Sequence, residues 1–234
     1  MPVFITGIDP QISRTRRSFH LVGGSIPSAY RRHQSAIEFT NGFERGVSGY
    51  IRLQVPQGWN VDPTVIKFHL SEGERFVQSL VITVPYNEIV GDKEFVAEFH
   101  VDAKSSYRFI AVARTQFEMP TATTRAVVFQ EGPSLVIEQE VTNIANRPLS
   151  FHAYVQIPGR PMLNHFVPKL PAGETAVKRY LLPYTPSLEN KTALVGIRDD
   201  TPDRGFANLL LPLGGVHDSS IVRTSSAGIL NKAE

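Results

Sequence analysis

The chain has 234 residues, of which 41% are apolar, 20% charged and 9% aromatic, and its 24 Lys and Arg against 22 Asp and Glu leave a net charge of +2. That length fits one large domain or two of about 100 residues, and the apolar share excludes wholesale disorder. The near-zero balance excludes a strong general attraction to nucleic acid or anionic membranes. No apolar run approaches the roughly 20 residues of a membrane-spanning helix, and the lack of cysteine removes disulfides, thiolate metal sites and cysteine nucleophiles together.

Residues 1–34 hold five Arg and one Asp, a local charge of +4, so the remainder carries −2. The opening stretch has no apolar core of signal-peptide length after a basic start. Strands are expected at Val3-Phe4-Ile5 and at Phe19-His20-Leu21-Val22. Between them, the basic segment Ser13-Arg14-Thr15-Arg16-Arg17, with Arg31 and Arg32, lacks the interleaved aromatics that single-strand nucleic-acid binders stack on, and reads as solvated. Further on, Ile51, Leu53 and Val55 alternate with Tyr50, Arg52 and Gln54. Phe95, Ala97, Phe99 and Val101 alternate with Glu94, Glu98 and His100, broken only by Val96, and Phe151, Ala153, Val155 and Ile157 alternate with His152, Tyr154 and Gln156. Leu80 to Val84, Tyr107 to Ala113, Leu135 to Val141 and Ala193 to Ile197 read similarly. Period-two alternation means strands with one buried face, and no stretch of 12 residues holds a helical period, so the chain is all-β.

The chain also repeats itself. Thr40-Asn41, Val55-Pro56, Leu70, Gly73-Glu74, Val84-Pro85 and Tyr86 recur as Thr142-Asn143, Ile157-Pro158, Leu170, Gly173-Glu174, Leu182-Pro183 and Tyr184, at offsets of 98 to 102 residues. Six matches in one order predict two tandem sandwiches of seven or eight strands each. The first spans 1–117 with its basic N-terminal segment and the second 124–213, joined through Phe117 to Thr124, where a proline sits among small polar residues. Residues 214–234, small and polar, are expected to form a mobile tail.

In the first copy, Val55-Pro56-Gln57-Gly58-Trp59 closes one strand, Leu70-Ser71-Glu72-Gly73-Glu74 supplies a polar turn, and Val81-Ile82-Thr83-Val84-Pro85 closes another. Over about residues 36–115 this order resembles the immunoglobulin-like module associated with bacterial alpha-galactosidases, with relatives among fibronectin type III sandwiches. The second copy is diverged, with Arg160 where Trp59 stands in the first. The resemblance implies two tandem immunoglobulin-like (fibronectin type III-like) β-sandwiches. It also implies a non-catalytic accessory or spacer role in a larger bacterial exported or envelope protein, periplasmic or at the cell surface, with neighbouring domains or an envelope protein as partners.

The residues bear on chemistry as follows. Pro56 ends a strand because it lacks the ladder donor, and Trp59 caps the core in preference to forming a sugar platform. Arg198-Asp199-Asp200-Thr201-Pro202-Asp203-Arg204 reads as a charged hairpin loop, and Asp199, Asp200 and Asp203 are the weak calcium candidates the chain offers. The seven histidines are scattered, with His100 and His152 on the polar faces of strands. Gly23-Gly24-Ser25 lacks the strand-to-helix context of a nucleophile elbow. No catalytic group, cofactor motif or zinc spacing is expected. Two alternatives to the spacer remain. One is a carbohydrate-binding module using Trp59, Tyr154, Tyr180 and Tyr184 as contacts. The other is a protein–protein module that adds a partner strand to an open sheet edge with few charges or prolines.

Overall fold

The structure is a computed structural model that describes residues 9–183 and 185–214 and the backbone of 222–225. The chain forms two compact units, one of residues 1–26, 31–85 and 92–116, the other of 27–30, 86–91 and 117–234. Both are immunoglobulin-like β-sandwiches.

The first unit opens on a helix that the strand pattern did not announce, α1 (Pro10–Ser18). Asp9 caps it by accepting the Gln11 N–H at 2.8 Å, Pro10 takes the first turn, and Arg16 and Arg17 sit in the last turn, where they complement the helix dipole. Only Thr15 is buried, which is why so polar a helix shows no apolar period. Thr15 Oγ1 accepts the Gly42 N–H at 3.0 Å, and a Cβ at Gly42 would stand 2.6 Å from the Gln11 carbonyl, so the helix lies directly on a glycine.

The strands of this unit are β1 (His20–Val22), β2 (Ser25–Pro27), β3 (His33–Thr40), β4 (Val47–Gln54), β5 (Asn60–Asp62), β6 (Val65–Leu70), β7 (Arg75–Thr83), β8 (Gly91–Asp102) and β9 (Ser106–Glu118). They make a four-stranded sheet in the order β1-β3-β7-β5 and a five-stranded one in the order β2-β9-β8-β4-β6. The core between them is aromatic. Phe39 from the smaller sheet meets Phe68 and Phe99 of the larger with ring centroids 5.3 and 5.1 Å apart, near edge-to-face. Ile51, Leu53, Phe95 and Phe99 are buried as expected, whereas Val55, at the end of β4, is half-buried.

The second unit holds β10 (Ala122–Glu131), β11 (Ser134–Asn143), β12 (Leu149–Gln156), β13 (Leu163–Leu170), β14 (Thr175–Pro183), β15 (Thr192–Asp199), β16 (Phe206–Pro212) and β17 (Val222–Ser225). Its sheets run β14-β11-β10-β17 and β13-β12-β15-β16, around an aliphatic core that includes Leu135, Ile137, Val155, Val195 and Leu209. β17 lies antiparallel to β10, with Arg125 opposite Ser225 and Val128 opposite Val222. Part of the expected tail is therefore a strand, and the rest beyond Gly214, like the expected strand at Val3 to Ile5, lies outside the described residues.

The repeat has a physical cause. Asn41, just past β3, donates to the carbonyls of Arg45 and Ser71, both at 2.8 Å, and accepts the Phe43 N–H at 3.0 Å. Asn143, at the end of β11, donates to Arg147 and Leu170 at 2.9 and 2.8 Å and accepts the Ala145 N–H at 3.0 Å. Both side chains are buried, and their backbone N–H groups bond the carbonyls of Glu74 and Glu174 in the Gly-Glu turns. One amide thus ties three backbone segments together in each copy.

Candidate functional site: the open edge of β9

The residues singled out from the sequence do not gather in one place. Trp59 is 6% exposed and lies edge-on to Phe95, with centroids 5.9 Å apart. Tyr180, 3% exposed, donates to the buried Gln139 Oε1 at 3.0 Å. The Gln139 amide in turn bonds Thr124 Oγ1 and the Gly196 carbonyl, so the phenol belongs to a closed polar network inside the second sandwich. Burial pushes the Tyr180 phenol well above its ordinary range. Tyr154 lies across Gly196 and donates to Asn208 Oδ1, and burial pushes its phenol up to about 12. Asn208 spends its two N–H groups on the carbonyls of Tyr86 and Glu88, both at 3.0 Å, clasping that segment to β16. Tyr184 lies outside the described residues. Stacking on a sugar needs exposed, coplanar rings, and Trp59, Tyr154 and Tyr180 are turned inward in these networks.

Asp199 is 2% exposed, and its carboxylate accepts four hydrogen bonds, from the Thr201 N–H and hydroxyl, the Gly205 N–H and the Thr121 hydroxyl, at 2.6 to 3.1 Å. It organises the β15–β16 turn as a structural staple. Asp200 instead meets His152 Nε2 at 3.1 Å. Among the described residues no group of three His, Cys, Asp or Glu could hold a metal ion, so Asp199, Asp200 and Asp203 do not converge. In the basic N-terminal segment, Arg14 bonds Glu44 and the Gly42 carbonyl, at 3.1 and 3.0 Å.

A different feature stands out at β9. Its 13 residues alternate without a break, with Ala111, Ala113, Thr115 and Phe117 turned into the core. The outer face carries Arg108, Ile110, Val112 and Arg114, of which Ile110 is 52% and Val112 43% exposed. β8 lies on one side of the strand. On the other is the three-residue β2, which meets only the C-terminal end, where Gln116 N–H reaches the Gly24 carbonyl at 3.5 Å and Thr115 Oγ1 donates to it at 3.1 Å. Successive residues of a strand aim their N–H and C=O groups to opposite sides, so with Gln116 facing β2, those of Arg108, Ile110, Val112 and Arg114 face the same edge. Among the described residues no strand pairs with that edge over Ser106 to Arg114. Several of the other edges are blunted. β1 and β5 have three residues each, β13 contains Pro168, and β14 carries Lys178 and Arg179 and ends in Pro183. The open stretch of β9 has neither proline nor acid.

On the same face, β8 and β9 share polar contacts. Arg114 Nε donates to Glu94 at 2.9 Å, Ser106 Oγ to Asp102 at 2.7 Å, and Arg108 Nε to His100 Nδ1 at 3.0 Å. The far nitrogen of His100 meets Glu98 at 2.9 Å, and the ring stacks on Tyr50 at 4.3 Å. The sequence shows β9 as a strand but not as an edge. The available signal was Phe109-Ile110-Ala111-Val112-Ala113, apolar on both faces where the neighbouring strands alternate with polar residues.

No protein-family model matches the chain, and no curated protein does. Solved structures similar to it include a protein of unknown function from Porphyromonas gingivalis W83, at 14% identity over 84% of this chain and 100% of that one, with a TM-score of 0.32. The periplasmic chaperone SfaE follows at 8% identity, 83% and 99% coverage and a TM-score of 0.30. The E. coli chaperone DraB stands at 13% identity, 83% and 96% coverage and a TM-score of 0.30. At such scores none of these likenesses informs what the chain binds.

Proposed function

We propose that the first sandwich is a non-catalytic protein-interaction module that binds an extended segment of a partner by strand addition to β9, as an accessory part of an exported or envelope protein. The observation that carries this is the nine-residue edge from Ser106 to Arg114, with its outward N–H and C=O groups and exposed Ile110 and Val112. Backbone hydrogen bonds to such an edge supply affinity and alternate side chains supply specificity. A pure spacer gains nothing from a long edge that invites pairing, and proteins ordinarily blunt such edges.

Amide hydrogen exchange, read residue by residue by NMR, tests the proposal. In the free protein the N–H groups of Ile110 and Val112 should exchange at least about a thousandfold faster than those of Ala111 and Ala113, which face β8. Addition of an alternating valine–threonine peptide should slow Ile110 and Val112 selectively. Equal protection of all four amides in the free protein would show the edge already covered, and would overturn the proposal.

A further inference from the structure

We infer that the segment received by β9 carries an acidic side chain opposite Arg108, which rests on the strand-addition reading above. In antiparallel addition its pattern from the N-terminus is apolar-x-apolar-x-acid, facing Val112, Ile110 and Arg108 in turn.

Arg108 is held in an unusual way for a surface arginine. A guanidinium has donors only, so the bond from its Nε to His100 Nδ1 requires a lone pair there, and the imidazole carries its proton on Nε2, facing Glu98. Tyr50, stacked flat on the ring at an interplanar angle of 10°, fixes the plane. The immediate partner of the Arg108 guanidinium is therefore a neutral acceptor. Among the described residues no carboxylate lies within ion-pair distance of it, whereas Arg114, six residues along the same face, has Glu94 at 2.9 Å. The surrounding charged groups are committed elsewhere, Glu98 to the far side of the His100 ring and Asp102 to the Ser106 hydroxyl. The result is an oriented cation, aimed by a ring and left without an anion, at the strand edge.

Directly opposed side chains on paired strands sit about 5 Å apart, so a carboxylate facing Arg108 would meet the guanidinium. The open stretch of β9 in a second copy cannot supply it. Ser106 to Arg114 contains two arginines and no acid, and every register of two such strands sets Arg108 against serine, an apolar residue or another arginine. The occupant we assign to this edge, on charge complementarity to Arg108, is a segment of a partner protein, apolar on alternate positions and acidic at one end.

The test uses three peptides with acetylated and amidated ends, each containing Val-Thr-Val-Thr-X with X as Glu, Gln or Lys, titrated into the full ¹⁵N-labelled chain. The Glu peptide should bind about five-fold more tightly than the Gln peptide, and the Lys peptide more weakly than either. In Arg108→Gln, whose fold is checked by Trp59 emission, the Glu preference should vanish while protection of the Ile110 and Val112 amides persists. Equal binding of the Glu and Gln peptides to the unaltered protein would overturn the acidic-partner inference and leave strand addition standing. Failure of all three to protect the β9 edge would overturn both.

Discussion

Replacing Asn41 with alanine removes the two donors that serve the Arg45 and Ser71 carbonyls and the acceptor that serves the Phe43 N–H. A buried backbone group left without a partner costs about 1–3 kcal/mol. With one of the three groups able to turn to water, the loss should be about 3–5 kcal/mol, a large part of the 5–15 kcal/mol typical of a domain. Trp59 is the only tryptophan and is buried in the same sandwich, so its emission in urea reports on this unit. With a slope of about 2 kcal/mol per molar, the midpoint should fall by about 1.5–2.5 M. Asn41→Asp sharpens the test. It preserves the shape and the acceptor but aims an anion at two carbonyls, so it should cost at least as much as alanine. A midpoint shift under 0.5 M on the order of experimental scatter, or an aspartate variant milder than the alanine one, would refute the staple and leave only packing.

Two further outcomes follow from the second sandwich. A Cβ at Gly196 would stand 2.3 Å from Asn208 Oδ1 and 2.5 Å from the Tyr154 ring, so Gly196→Ala should cost about 1–3 kcal/mol in thermal unfolding by displacing the pair that clasps Tyr86 and Glu88. Burial holds the Tyr154 phenol protonated up to about 12, above its ordinary 10. Between those values the unfolded chain has released the proton and the folded one has not, so stability falls as pH rises through that window, by roughly 2–3 kcal/mol in all. Tyr154→Phe should flatten the decline of the urea midpoint between about pH 10 and 12 relative to the unaltered chain, and an unchanged slope would refute the linkage.

Much of the architecture was legible in the residues because sandwich strands print their burial directly. Ile51 and Leu53 on β4, and Phe151, Ala153 and Val155 on β12, are buried at the positions that alternation marks. The recurrence of Thr-Asn and Gly-Glu was legible too, though not its cause. An asparagine at the end of a strand reads as a turn residue, and only the folded chain shows that the Asn41 amide reaches carbonyls 4 and 30 positions away and the Asn143 amide carbonyls 4 and 27 away. The polar helix α1 was invisible for a related reason, since one buried threonine over a glycine leaves no apolar stripe.

The aromatic residues show where reading by type stops. Tyrosine on the polar side of a strand suggests a platform, yet Tyr154 covers Gly196, filling the space a missing side chain leaves and spending its hydroxyl on Asn208. Exposure depends on what the neighbouring strand lacks, which no single-strand pattern records. The same holds in reverse at β9. Whether Ile110 and Val112 are covered depends on how far β2 runs along their edge, and β2 stops after three residues. Arg108 is then left with a neutral histidine for a partner because Glu98 lies on the other side of that ring. Edge and unmatched cation thus come from adjacent positions on one strand, the combination that a partner with both an apolar alternation and an acid would recognise and that a spacer would have no reason to keep.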